Sequence, residues 1–192
     1  MRYQNLMVSH IVVTEGLAYV VEPGRRKCCL SDYFEAVLDR LLKTVPANES
    51  IFISPGNSFG CEFSEEEYAV QYLLSQRPNL NVFVPSNVHD RAYLDTFDNA
   101  RLLRIWLQKQ GLWPLGEVTL YCNAPHLFRS WLLFRLCGFN VQQTVGCRPE
   151  KVSRIIISRL WFYDYFVIQI FYEMFGTFYD LMRWFLWMSL RK

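Results

Sequence analysis

Short apolar runs alternate along this chain with stretches whose apolar residues recur at the spacing of a helix. Runs rich in Val, Ile and Phe suit strands that are covered on both faces. Strands that alternate with helices indicate a mostly parallel sheet between two layers of helices. The sequence therefore predicts a three-layer α/β fold, with strands at residues 10–13, 51–53, 82–84, 118–121 and 139–143.

Capping signals mark where the predicted helices begin and end. Ser31 precedes a helical pattern that runs from 34 to 42. Ser64 and Glu67 have the spacing of a capping box. Thr96 opens a third helix, and Gly138 ends a fourth. These signals fall between the predicted strands, which supports the α/β prediction.

The length and charge of the chain limit its size class and its expected partners. Its 192 residues, about half of them apolar, are enough for one α/β domain with a helical appendage. We expect the domain at residues 1–150 and an aromatic helical segment at residues 151–192. The formal net charge is only +2 and no long Lys/Arg block occurs, so nucleic acid is not an expected partner.

The first residues and the cysteines predict a cytoplasmic protein. Residues 1–7 lack a long apolar core and a small-residue cleavage site, so a secretory signal is not expected. None of the six cysteines sits in a CxxC pair, which favours reduced thiols over a disulfide framework or a zinc site. The three histidines are scattered and predict no metal site.

The C-terminal segment, residues 160–190, is dominated by aromatic and aliphatic residues. Its charges are Asp164, Glu173, Asp180 and Arg183, which interrupt any run of ~18 uncharged residues, so a simple membrane-spanning helix is not expected. Gly176 is predicted to divide the segment into two helices.

Two interpretations of this segment stay open. In the first, one helix covers the sheet and the other completes the core or a homodimer contact. In the second, the segment makes peripheral membrane contact. Its headgroup-level residues would then be Trp184, Phe185, Trp187 and Met188, with Arg191 and Lys192 facing anionic lipid.

His126 and Arg129 follow the predicted strand at 118–121 and open the next helix. Residues three apart share a face of a helix, and the first turn of a helix presents unpaired N–H groups and a positive dipole end. This junction suits an anion or a polar ligand. The alternatives are a structural histidine and a salt-bridged arginine.

Polar and glycine residues concentrate at the carboxyl ends of the predicted strands, where open parallel sheets bind ligands. The glycines could also be simple turn residues, and the residues at 96 and 99 could be helix caps. Because several loops would converge on one edge, we expect a ligand site there. Its candidate residues besides His126 and Arg129 are Thr14, Glu15, Gly16, Ser54, Gly56, Asn57, Glu67, Thr96, Asn99 and Asn123.

Residues 8–175 resemble the YdcF/SanA/ElyC-like domains, a widespread family of bacteria and some eukaryotes. A family motif of the type Ser-x-Thr-x-Glu-Asn-Ala is matched by residues 94–100, with Thr96 and Asn99 retained. A strand followed by Thr-Ser-x-x-His-x-x-Arg-Ala is matched by residues 122–130, with His126 and Arg129 retained. A Ser-Gly-Gly turn is matched loosely at 54–56, and a Glu-Ala pair corresponds to Glu67 or to a neighbouring glutamate.

The chain departs from the family pattern at several positions, which marks it as a diverged member. Leu94 replaces the motif serine, Pro55 replaces a glycine, and Cys122 with Asn123 replaces the threonine–serine pair. The resemblance implies a Rossmann-like fold. It also implies S-adenosylmethionine as a candidate ligand, since one member is reported to bind it, and a link to the cell envelope. It implies no particular reaction.

Two functional hypotheses follow. In the first, the chain is an enzyme that binds a small anionic or nucleotide-like ligand. His126 acts there as general acid/base, Arg129 pairs with phosphate or carboxylate, and Glu15 or Glu67 completes the set. In the second, the chain is a non-catalytic module that a membrane or a partner holds. The sequence contains no GxSxG elbow and no P-loop lysine motif.

Overall fold

The computed structural model of the protein describes residues 8–22, 25–85, 93–152, 156–158 and 165–190. The start of the aromatic segment at 160–164 and the basic residues Arg191 and Lys192 lie outside these ranges. In chain order the strands are β1 (Ser9–Val12), β2 (Leu17–Glu22), β3 (Arg25–Leu30), β4 (Ser50–Ile53), β5 (Asn81–Phe83), β6 (Val118–Asn123), β7 (Val141–Cys147) and β8 (Ile156–Ser158). The α-helices are α1 (Asp32–Thr44), α2 (Glu65–Gln76), α3 (Thr96–Lys109), α4 (Leu127–Leu136) and α5 (Phe166–Ser189).

Five strands form a parallel sheet in the order β5-β4-β1-β6-β7. Residues of α1 and α2 pack on one face of this sheet, and residues of α3 and α4 pack on the other. Each face has its own hydrophobic core, with Phe34 and Phe134 among the largest fully buried side chains. The predicted three-layer, mostly parallel α/β fold is confirmed, and it is Rossmann-like.

The predicted capping residues act at the helix ends. The Ser31 hydroxyl accepts the Phe34 N–H at 3.1 Å at the start of α1. The carboxylate of Glu67 accepts the Ser64 N–H at 2.7 Å and forms the capping box of α2. Asp95, one residue before Thr96, is the cap of α3. These contacts pair backbone N–H groups that a helix leaves without partners.

A second, antiparallel sheet in the order β3-β2-β8 was not predicted. Its hairpin, β2 and β3, leaves the parallel sheet after β1 and returns to α1. Leu17 pairs with Leu30 at its base, and the Ser31 N–H donates to the Gly16 carbonyl at 3.2 Å. The strand β3 has the sequence RRKCCL, which lacks the apolar–polar alternation that identifies a half-buried strand.

The hairpin also corrects the prediction for the cysteines. Cys28 of β3 lies beside Cys61, with 5.9 Å between their Cα atoms, and the two form a disulfide. The expectation of six reduced thiols is therefore wrong for this pair. The pairing could not be found from spacing, because it depends on a hairpin that the apolar pattern did not reveal. Cys29, Cys122, Cys137 and Cys147 are free thiols.

The C-terminal segment forms one continuous helix, α5, so the predicted division at Gly176 is wrong. The helix packs against α3 and α4. The Trp184 indole donates to the Leu136 carbonyl at 3.2 Å, and Trp187 packs edge-on against Phe97. Both tryptophans therefore pack against the domain and are only partly exposed, so their place among lipid headgroups stays a prediction. Among the described residues, no helix combines the length and the hydropathy needed to cross a bilayer.

Candidate functional site

A cleft lies at the carboxyl ends of β1 and β6, where the direction of strand addition in the parallel sheet reverses. This is the position at which open α/β sheets bind ligands. The cleft has a volume of about 240 Å³. It is lined by Thr14, Glu15, Gly16, Asn57, Phe59, Glu65, Tyr93, Leu94, Asp95, Thr96, Asn99, His126, Arg129 and Tyr172.

Hydrogen bonds between loops hold the floor of the cleft. The Thr14 N–H donates to the Ser54 hydroxyl at 3.1 Å, which joins the loops that follow β1 and β4. The Asn99 amide nitrogen donates to the carbonyl oxygens of Asp95 and Pro55, each at 3.0 Å. Its amide oxygen then lies 3.3 Å from the Thr14 hydroxyl. The polar groups of these loops are thus hydrogen-bonded to one another at the bottom of the cleft.

Glu65, the first residue of α2, is buried in the wall of the cleft. Its carboxylate accepts the Asn57 N–H at 2.7 Å. A Cβ atom at Gly56 would lie 2.5 Å from this carboxylate, so the loop needs glycine to pass beside it. Burial raises the pKa of Glu65 to about 7, even though the hydrogen bond from Asn57 favours the ionised form. This carboxyl can therefore accept or donate a proton near neutral pH.

Glu15 is a second buried acid in the cleft. One of its oxygens accepts the Asn123 N–H at 2.8 Å. Burial raises the pKa of Glu15 well above its ordinary range, and the Asn123 N–H only partly opposes this effect. Burial therefore favours the neutral form of Glu15, in which the carboxyl can donate a hydrogen bond. The Asn123 side chain is itself buried, and the described residues give its amide atoms no hydrogen-bond partner.

His126 is held by contacts on both ring nitrogens. Two N–H groups of Arg129 lie 3.2 and 2.9 Å from Nδ1. Nδ1 thus lies between the guanidinium, which can only donate, and the Glu173 carboxylate at 3.2 Å, which accepts. Nε2 lies 3.1 Å from the Thr96 hydroxyl, which can do either. Burial, and then the positive charge of Arg129, lower the pKa of His126. The imidazole is therefore neutral at physiological pH.

The arginine of this pair is neutralised by α5. Its guanidinium lies 3.0 Å from the Glu173 carboxylate and 3.7 Å from the carboxylate of buried Asp180. Glu173 also approaches Nδ1 of His126 at 3.2 Å. A Cβ atom at Gly176 would collide with the Arg129 guanidinium, so this glycine lets the helix come close. The segment predicted as an appendage thus supplies part of the site.

Most of the predicted site residues meet in this cleft. Eight of them line it: Thr14, Glu15, Gly16, Asn57, Thr96, Asn99, His126 and Arg129. Ser54, Gly56 and Asn123 lie behind the lining and shape the loops. Glu67 is exposed and serves the capping box, and the glutamate in the cleft is Glu65, two residues earlier.

Residues that α5 and the 93–95 loop bring to the cleft were not among the candidates. Tyr172 lies across the guanidinium of Arg129, with its ring centre 5.4 Å from the Arg129 Cζ atom. Glu173 stands 44 residues after Arg129 in the chain, so no local motif joins them. The sequence contains one indication of the role of Glu173, which is that it is an acidic residue inside an apolar stretch. An acidic side chain that is buried needs a charged or hydrogen-bonding partner.

The cleft offers hydrogen-bonding groups rather than a metal-binding cluster. No group of three or more His, Cys, Asp or Glu side chains suited to a metal ion occurs in the part of the chain that the structure describes. Cavities that hold drug-sized ligands usually measure ~300–1,000 Å³. A volume of about 240 Å³ therefore suits a small molecule, or one end of a larger one.

No protein-family profile, no curated protein and no solved structure is found to match this chain. The resemblance to YdcF/SanA/ElyC-like domains accordingly stays a prediction, with its site residues placed by the structure as described.

Proposed function

We propose that the protein binds a small polar molecule in this cleft and exchanges a proton with it. The observation that carries this proposal is the convergence of Glu15, Glu65 and His126, from three distant segments, around one cavity. Buried titratable groups with displaced pKa values in a cleft are typical of catalytic sites.

The roles follow from the protonation states. Glu65, with a pKa of about 7, is suited to act as general acid or base, because proton transfer is most efficient when the pKa lies near the working pH. Glu15, whose burial raises its pKa, is suited to donate a hydrogen bond to the ligand when it holds its proton. Neutral His126 orients the Thr96 hydroxyl through Nε2. This assignment moves the acid/base role from His126, the sequence-based candidate, to Glu65.

The proposed ligand carries an anionic group, as in a sugar phosphate, a nucleotide or the carboxylate of S-adenosylmethionine. Arg129 is the cationic side chain that lines the cleft, and a guanidinium pairs well with phosphate or carboxylate. Glu173 already contacts this guanidinium, so an incoming anion has to share it or displace Glu173.

That same contact favours a second candidate function, a non-catalytic module. A carboxylate of the chain itself occupies one side of Arg129, as it would in a site that had lost its ligand. In this alternative Arg129 and Glu173 only fix α5 to the domain.

A ligand-stabilisation screen with a matched pair of variants tests the proposal. Inorganic phosphate, sugar phosphates, nucleotides and S-adenosylmethionine are added to the wild type, to Glu65→Gln and to Glu67→Gln. We expect at least one ligand to raise the melting temperature of the wild type and of Glu67→Gln, with roughly tenfold weaker binding in Glu65→Gln. Absence of any shift would favour the non-catalytic module. An equal shift in all three proteins would place the ligand outside the cleft.

A further inference from the structure

The outward face of α5 bears no charge. Every residue between 165 and 190 whose side chain the structure describes as exposed is uncharged. Several are large and more than half exposed, with Phe175 at 68 % and Phe178 at 66 %. The remaining large apolar members of this face are Tyr165, Val167, Ile168, Ile170, Phe171, Tyr172, Met174, Tyr179, Met182, Phe185, Leu186, Met188 and Leu190.

The charged residues of α5, together with Gln169, face the domain instead. Gln169 and Asp180 are buried, and Glu173 contacts Arg129. Arg183 pairs with Asp98 at 3.0 Å. A surface helix of a soluble protein has the opposite arrangement, with its apolar stripe inward and its charges outward. The outward side of α5 therefore suits apolar surroundings.

The apolar arc is wide as well as uncharged. At 3.6 residues per turn, the exposed positions from 167 to 188 spread over an arc of roughly 200°. A single partner helix covers a much narrower stripe. A groove of about 420 Å³ between the start of α4 and α5, lined largely by apolar residues such as Phe128, Met174 and Phe178, lies within the same surface. An arc of this width fits a surrounding apolar phase better than one docked helix.

The charges beside α5 favour an anionic surface. In α3, α4 and the described residues of α5, no acidic side chain is exposed, whereas Lys109 and Arg135 are. The acids of this layer, Asp98, Glu173 and Asp180, all lie near arginines. The opposite layer, α1 and α2, exposes acids such as Glu35 and Glu67. In the sequence, Arg191 and Lys192 follow Leu190, the first residue after α5.

We propose that the layer of α3, α4 and α5 docks on a lipid bilayer that contains anionic phospholipid. The uncharged arc of α5 lies among the acyl chains at the headgroup boundary, and Lys109 and Arg135 face the lipid phosphates. A second copy of the chain is the less favourable occupant, because two such faces would bring basic side chains together. The mouth of the cleft opens beside the bilayer, since Tyr172 belongs both to its lining and to the exposed face.

Vesicle sedimentation with matched variants tests this proposal. The full chain is mixed with vesicles of phosphatidylcholine alone, or with roughly 30 % phosphatidylglycerol added. We expect binding to the anionic vesicles, and at least a roughly tenfold lower partition constant for the double variant Phe175→Asp/Phe178→Asp. The control, Leu74→Asp/Val152→Asp, adds the same charge at exposed apolar positions outside the layer and should bind like the wild type.

Light scattering of the same proteins distinguishes a bilayer from a second copy of the chain as the partner of α5. A wild type that stays unbound to both kinds of vesicle would overturn the proposal. So would equal losses of binding in the two double variants. If the wild type is a dimer that α5 substitution dissociates, and no vesicle binding is seen, the face is a contact between copies and the membrane proposal is rejected. These outcomes do not depend on whether the cleft binds a ligand.

Discussion

Replacing Glu65 by glutamine should stabilise the protein above neutral pH. Burial raises the pKa of Glu65 from its ordinary 4.5 to about 7, so the folded protein binds this proton more tightly than the unfolded chain. The bound proton contributes its full stabilisation at pH values below the pKa that Glu65 has in the unfolded chain. This stabilisation is lost as the pH rises toward 7. A gap of about 2.5 pKa units at ~1.4 kcal/mol each amounts to about 3.5 kcal/mol.

Urea denaturation from about pH 5 to about pH 8 measures this effect. Glutamine cannot ionise, yet its oxygen can still accept the Asn57 N–H. We therefore expect Glu65→Gln to match the wild type near pH 5 and to exceed its unfolding free energy by about 2–3 kcal/mol near pH 8. The control, Glu67→Gln, lies on the same turn, keeps a capping-box acceptor and should retain the wild-type pH dependence. Parallel profiles for Glu65→Gln and the wild type would refute the reasoning.

Three further substitutions probe the contacts that assemble the site. Gly176→Ala should lower the unfolding free energy by about 1–3 kcal/mol, although alanine normally favours a helix, because the methyl group displaces Arg129; a rise in melting temperature would show that the arginine moves aside freely. Cys28→Ser should cost about 3–4 kcal/mol, since the bond to Cys61 closes a long loop, and dithiothreitol should destabilise the wild type but not the variant. Ser31→Ala should cost about 1–2 kcal/mol through loss of the α1 cap, which thermal unfolding measures; an unchanged melting temperature would contradict that role.

The parallel sheet was predictable because its strands carry a strong local signal. Residues 10–13, 51–53 and 118–121 are runs made up mainly of apolar residues, as is typical of buried parallel strands. The helices between these strands could be predicted from the helical spacing of their apolar residues and from their capping residues. The edge strand β7 is largely exposed, and the fifth predicted strand began two residues before it.

The hairpin and the aromatic helix were harder to predict for opposite physical reasons. In β3 the charged residues Arg25, Arg26 and Lys27 break the apolar–polar alternation by which a strand is recognised in a sequence. In α5 the apolar residues point outward, so periodicity alone could not tell which face meets the domain. Gly176 has low helix propensity, but close packing of the helix against Arg129 overrides that local preference.

The site was predictable where its residues follow strands and less so where they come from helices. Thr14, Asn57 and His126 could be placed on one edge by topology alone. Glu65 and Glu67 both lie in the first turn of α2 but point in different directions. Glu67 forms the capping box, and Glu65 lines the cleft. The contribution of Glu173 depends on tertiary packing of α5.

The β2–β3 hairpin departs from the parallel sheet and rejoins it at adjacent points, since residues 16 and 31 share a hydrogen bond. An excursion with touching ends can change its length without moving the strand before it or the helix after it, provided that Cys28 keeps its bond to Cys61 and Tyr19 keeps its hydrogen bond to the Phe59 carbonyl. This arm is therefore where natural variants of the protein can acquire insertions, and where an epitope or a fluorescent label can be grafted while the cleft stays intact.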